Sequence, residues 1–258
     1  MTKSNLPENW SYNLVDSQFD FADSGLRFRQ SRSGPEEEMI RSFLAKLNSR
    51  AEADVQLTIF KEPCIETGFP DLVGVSWHLP TAETWNKNRL LLKRADFRVL
   101  HRLLHFRDAD HRTHLNLFDR RSWSSFQRLE AASMISLDNG DISVAPLSSL
   151  YAVRHIFAIE AKIGAWRKAL HQAFLNRWFA TSSHVLLPRM PSNTRVNSEA
   201  KFLGVGLWSL DFSKITIKLP QAQSDPVSYV SWLFNDWAWK ARMHSSSSYE
   251  QPNHSLLG

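Results

Sequence analysis

A chain of 258 residues with 31 Lys and Arg against 26 Asp and Glu has room for one ordinary domain plus a small insert. Its single cysteine, Cys64, excludes an intramolecular disulfide, no signal peptide is visible in residues 1–12, and no apolar run approaches membrane-spanning length, so a soluble, cytoplasmic protein is expected. The formal net charge of +5 favours a polyanionic partner but is too modest to establish one.

Residues 1–34 read as an N-terminal extension, with disorder expected in part of the first thirty residues. Pro35 followed by Glu36, Glu37 and Glu38 starts a helix whose positive end suits the acids, and Met39, Ile40, Phe43, Leu44 and Leu47 form its apolar stripe. Glu36 falls on that stripe and points toward the interior as a candidate site acid, with Glu37 in reserve; capping and solvation of the first turn is the alternative for all three. Residues 55–60 alternate as a strand. Gly68-Phe69-Pro70-Asp71-Leu72-Val73-Gly74-Val75 then places an acid at the head of a second, neighbouring strand.

From Lys93 to Leu104 the apolar residues recur at helical spacing, residues 114–118 read as a second short helix, and residues 122–135 as a third with Ser122 or Ser124 as N-cap. Asn139-Gly140 between alternating apolar residues signals a two-residue hairpin. Three helices and a hairpin over residues 93–150 have the pattern of an inserted winged helix-turn-helix. In such modules the third helix enters the major groove, which assigns DNA contacts to Ser124, Ser125, Gln127 and Arg128, with Arg120 and Arg121 beside them. Between Arg89 and Glu130 ten Lys and Arg face five Asp and Glu, an excess of +5 that equals the formal charge of the whole chain. This arginine-rich segment suits phosphate contact; a solvated face packed only against its own protein is the alternative.

Ile156-Phe157-Ala158-Ile159 is a short apolar strand running into Glu160-Ala161-Lys162. Residues two apart on a strand share a side, so Glu160 and Lys162 are delivered together. With Asp71 they make two hard oxygen donors and a lysine, a set suited to Mg²⁺ and phosphodiester cleavage; a surface Glu–Lys ion pair is the alternative. The amphipathic helix that follows carries Gln172, and residues 183–188 read as another buried strand. Glu199-Ala200-Lys201 repeats the tripeptide but follows a polar stretch and reads as helix, where residues two apart do not face each other. Residues 204–210 and 214–219 are expected to pair as closing strands. A last helix from Ser224 to Met243 carries Tyr229, Val230, Leu233, Phe234 and Trp237 on one side, and residues 244–258 read as a disordered tail.

On Pro70-Asp71, Glu160-Ala161-Lys162, Gln172-Ala173 and the strand Ser183-His184-Val185-Leu186-Leu187, the chain resembles the PD-(D/E)XK nuclease superfamily over residues 35–220. The resemblance implies an α/β fold with a restriction-endonuclease-like core, a central mixed β-sheet flanked by helices. It implies that Asp71, Glu160 and the Ala161 carbonyl hold Mg²⁺, with Mn²⁺ as a substitute, and that Lys162 orients the attacking water. Gln172 would bind that water or a phosphate, or cap a neighbouring carbonyl, and Glu36 would be the first-helix acid. The departure is distance, because Asp71 and Glu160 are usually separated only by a short connection. The core is therefore read as two pieces, 35–92 and 151–225, around the insert at 93–150, with 226–258 as a C-terminal helix and tail.

The function expected is that of a metal-dependent endonuclease acting on double-stranded DNA, in host defence, restriction or a mobile element. One such site cuts one strand, so double-strand cleavage calls for a homodimer or two successive events. The alternatives are a DNA-binding regulator or toxin-system component that keeps the fold without cutting, and a nuclease for RNA or branched DNA.

Overall fold

Nearly unbroken apolar runs build the centre of this mixed α/β protein. The computed structural model describes residues 12–19, 25–50, 54–106, 112–114, 122–139, 141–192, 194–211, 215–218 and 225–249. The first elements are β1 (Asn13–Val15), α1 (Pro35–Lys46), β2 (Leu47–Arg50), β3 (Val55–Lys61) and β4 (Leu72–His78). α2 (Leu79–Glu83) and a 3-10 turn over Lys87–Leu91 lead to α3 (Arg94–Phe106), β5 (Arg112–His114), α4 (Trp123–Ala131), β6 (Ile135–Asp138), β7 (Asp141–Val144) and α5 (Leu147–Leu150). The rest runs β8 (Val153–Ala161), α6 (Trp166–Asn176), β9 (Ser182–Leu187), α7 (Thr194–Leu203), β10 (Gly206–Ser209), β11 (Ile215–Lys218) and α8 (Tyr229–Tyr249).

The central sheet has six strands in the order β1-β3-β4-β8-β9-β10. β3, β4 and β8 are antiparallel neighbours, while β1 joins β3, β9 joins β8 and β10 joins β9 in parallel. Such central strands are buried on both faces, which is why they read as continuous apolar runs. On one face α1 lays Met39, Ile40, Phe43 and Leu44 over Leu57, Ile59, Leu72, Phe157 and Ile159. On the other, α6 packs Ala169, Leu170 and Ala173 against Val185 and Leu187. Gly74 stands opposite Phe157 in the β4–β8 register, and a Cβ there would lie 2.0 Å from the Phe157 ring, so only glycine lets that ring cross the strand.

Helix α8 is sunk into the core rather than laid on it, with every residue from 230 to 241 buried. Its charged residues and Asn235 have partners across the core. Asp236 receives Arg89 at 3.1 Å and Lys240 at 2.8 Å; Arg89 also donates to Leu150 O and Lys240 to Leu92 O, while Asn235 accepts from Ala152 N–H at 2.8 Å. Burial draws the Arg89 guanidinium down to about 10 despite Asp236 beside it. The segment from α3 to β7 is joined to the same core, since Phe97, Leu100, Leu103, Phe126 and Leu129 cluster with Trp77, Phe234 and Trp237.

Several expectations are corrected. Asn13–Val15, within the N-terminal extension, supply edge strand β1, an element that the sequence reading did not place. The proposed closing strands do not pair: β10 extends the main sheet beside β9, and β11 pairs in parallel with β2 in a separate two-stranded sheet. The last helix starts at Tyr229 and continues past Met243 to Tyr249, because nothing in the serine run breaks it; residues 250–258 lie outside the described residues. His114 ends strand β5 instead of starting a helix, and residues 115–120 also lie outside. β5 pairs with β7 and β7 with β6, where Asp138 faces Asp141 across the Asn139 turn, φ 49°. Glu199-Ala200-Lys201 falls within α7, as its polar approach indicates. Among the described residues no helix is long and apolar enough to cross a membrane.

Candidate functional site

Register brings the two acids together. β4 and β8 run antiparallel with Leu72 opposite Ile159, so the next pair outward is Asp71 and Glu160. The Ala161 N–H donates to Asp71 Oδ2 at 2.8 Å, tying the acid at the head of one strand to the tip of the next. Glu160 is 3% exposed, and its Oε1 accepts from Asn176 Nδ2 at 2.7 Å.

Lys162 lies one residue beyond β8, fixed by its N–H to Leu186 O at 3.0 Å, and its Nζ donates to Glu36 Oε2 at 2.8 Å. Glu36 is thus the first-helix acid that reaches the motif, although its side chain is half exposed, not buried. Glu37 turns away to Lys61 at 2.6 Å.

Two carboxylates this close in a buried place resist ionisation together. Burial, then the Asp71 charge, pushes the Glu160 carboxyl up to about 8, against the Asn176 hydrogen bond and the charges of Lys162 and Arg29. Burial likewise raises Asp71, opposed by the Ala161 N–H and Lys162 and reinforced by Glu62. The pair is short of positive charge, and its hard oxygens are the donor type that a divalent cation such as Mg²⁺ takes. Asp71 and Glu160, with the Ala161 backbone beside them, are the residues able to hold one. Among the described residues no group of three or more His, Cys, Asp or Glu gathers as a metal centre.

Three residues of this cluster escaped the sequence reading. Asn176 lies one helical turn beyond Gln172 on the same face of α6, a position that the resemblance, which selected Gln172, does not single out; the Gln172 Oε1 itself is buried without a hydrogen-bond partner. Glu62 follows β3 directly, 5% exposed, and its N–H donates to Asp71 O at 3.0 Å. Arg29 contacts Glu62 through Nε and stands 3.6 Å from Asp71 Oδ1. No local pattern marks either. His155 instead ties β8 to β9 through Ser182 and Thr181, 2.8 and 2.7 Å away.

The nucleic-acid contacts expected on α4 divide. Ser124 and Gln127 are exposed. Ser125 is buried at 4% exposure, and Arg128 directs its fork at buried Asp96, Nε at 2.8 Å and Nη2 at 2.7 Å, so these two hold the segment together. Arg120 and Arg121 lie outside the described residues. Comparison of the chain with protein-family models, with curated proteins and with solved structures finds no match.

Proposed function

We propose that the chain is a metal-dependent endonuclease of the PD-(D/E)XK type, hydrolysing phosphodiester bonds in DNA, and that the segment from α3 to β7 is an inserted winged helix that engages the duplex. The single observation that carries the reading is the meeting of Asp71 and Glu160 across β4 and β8, with Lys162 beside them. A mixed sheet flanked by helices on both faces is also the core that the resemblance implies, and the strands of β5, β7 and β6 behind two helices suit a winged module.

A divalent cation held by Asp71, Glu160 and the Ala161 carbonyl would neutralise charge growing on the phosphorane and acidify an attacking water. The chain's own residues set the rest. The Ala161 N–H and the Asn176 amide orient the two carboxylates. Glu36 holds the Lys162 ammonium at the strand tip, where it can position a water and stabilise the developing negative charge.

The test is incubation with supercoiled plasmid, linear duplex, single-stranded DNA and RNA, in Mg²⁺ or EDTA, beside Asp71→Ala and Lys162→Ala. Cutting of duplex DNA in Mg²⁺ alone, lost in both variants, is expected. Cleavage that survives both substitutions contradicts the site, and tight duplex binding with no cutting under any divalent ion favours a DNA-binding regulator.

A further inference from the structure

Arg29 is placed by backbone pairing. The Cys64 N–H donates to Arg27 O at 2.7 Å, the Arg29 N–H donates to Glu62 O at 3.1 Å, and Phe28 bridges Pro63, so this segment runs antiparallel to the residues that follow β3. The guanidinium is thereby carried to two acids, with Nε on Glu62 and Nη2 3.6 Å from Asp71 Oδ1. Glu62 occupies this position with φ 52°, a left-handed conformation that non-glycine residues adopt at a cost and that persists where surrounding structure enforces it.

Glu62, Asp71 and Glu160 thus form a row of acids in which, among the described residues, only the first pair has a guanidinium against it. Without that group, buried Glu62 would face Asp71 uncompensated, and two apposed carboxylates demand a cation or a proton. Among the described residues no guanidinium bridges the Asp71–Glu160 half, although the charges of Lys162 and Arg29 act on Glu160. The Arg29 side chain is 49% exposed on its other side and borders a polar cavity of about 350 Å³ shared with Gln18 and Lys61, so its charge also faces the solvent from which a substrate would enter.

We infer that Arg29 is the resident cation of the Glu62–Asp71 half of the site, standing where a second divalent ion would otherwise sit. The site therefore takes a single metal ion, at Asp71 and Glu160. This rests on the metal-dependent reading above and extends it to a stoichiometry and to a residue that the motif does not contain.

Counting bound Mn²⁺ by the paramagnetic resonance signal of the free ion, at pH 8 and without substrate, tests it. The wild type is expected to bind one ion, Arg29→Ala two, and Arg29→Ala/Glu62→Gln one again; Arg29→Lys, which keeps the charge, stays at one. Two ions in the wild type, or one in a folded Arg29→Ala, overturns the inference while leaving the metal-dependent reading intact. No ion in the wild type overturns both. If Arg29→Ala does not fold, Arg29→Gln, which keeps the bulk and removes the charge, is counted in its place, with two ions expected and one overturning the inference.

Discussion

At the tip of β8 two basic groups, Lys162 and Arg29, stand among four acids, Glu36, Glu62, Asp71 and Glu160, whereas Arg89, Arg94, Arg98 and Arg128, among the described residues of the segment leading through α3 and α4, are each paired with an acid. Arg128 is forked onto Asp96, Arg94 and Arg98 share Glu66, and Arg89 is buried on Asp236. The sequence count pointed the other way, because residues 89–130 hold an excess of +5, equal to the formal charge of the whole chain. Net charge along a chain therefore says little about where uncompensated charge resides in the fold. Unrelieved repulsion between buried groups, with carboxyls raised above their usual range, is the stronger mark of a working site.

The comparison breaks first on catalysis. Asp71→Ala and Lys162→Ala are each expected to lower the divalent-dependent cleavage rate by about 10²–10⁴-fold, the range for removing a charge-stabilising or proton-handling group, with the circular dichroism spectrum unchanged. Small losses would mean that the unbalanced end is structural.

That end of the sheet was legible because one apolar strand starts at an acid and the other ends on one, and period-two alternation puts Glu160 and Lys162 on one side. The first-helix glutamate was legible from the 3.6-residue stripe of Met39, Ile40 and Phe43. Arg29 and Glu62 were not, since one arrives by long-range backbone pairing and the other by a left-handed turn without glycine. The partner of β11 was equally hidden: β2 lies far away in sequence and pairs in parallel, with no turn chemistry to announce it. In α8 the burial of Asn235, Asp236 and Lys240 was not legible either, because only their partners in distant segments explain it.

Arg128→Ala sharpens the contrast from the other side. It strips both fork bonds from a buried Asp96 and should cost about 1.5–3 kcal/mol in urea unfolding, against under about 1 kcal/mol for Glu36→Gln, which breaks a half-exposed pair. If the two losses are equal, the ion pairs around α3 and α4 are no more structural than the pair at the site.

Under the proposed function, the effects on duplex recognition are of similar size and confined to the exposed residues of α4. Replacing Gln127 or Ser124 by Ala is expected to weaken duplex binding by about 1–3 kcal/mol for a base contact, read by fluorescence anisotropy, whereas Ser125→Ala leaves affinity unchanged. The reverse pattern would move the DNA surface elsewhere.

The central claim is that Asp71 and Glu160 form one buried anionic pair that a divalent ion completes. Glu160 has its carboxyl raised from 4.5 to about 8 in the folded chain, so the folded state holds the extra proton across that interval and this group's stabilising contribution declines as pH rises through it. Melting temperatures of the wild type and Glu160→Gln, with Mg²⁺ or EDTA at pH 5 and pH 8, measure this directly. The account predicts that in EDTA the wild type loses stability relative to the variant between the two pH values, and that Mg²⁺ restores it at pH 8 in the wild type alone. An equal Mg²⁺ shift in Glu160→Gln, or none in the wild type, would contradict it.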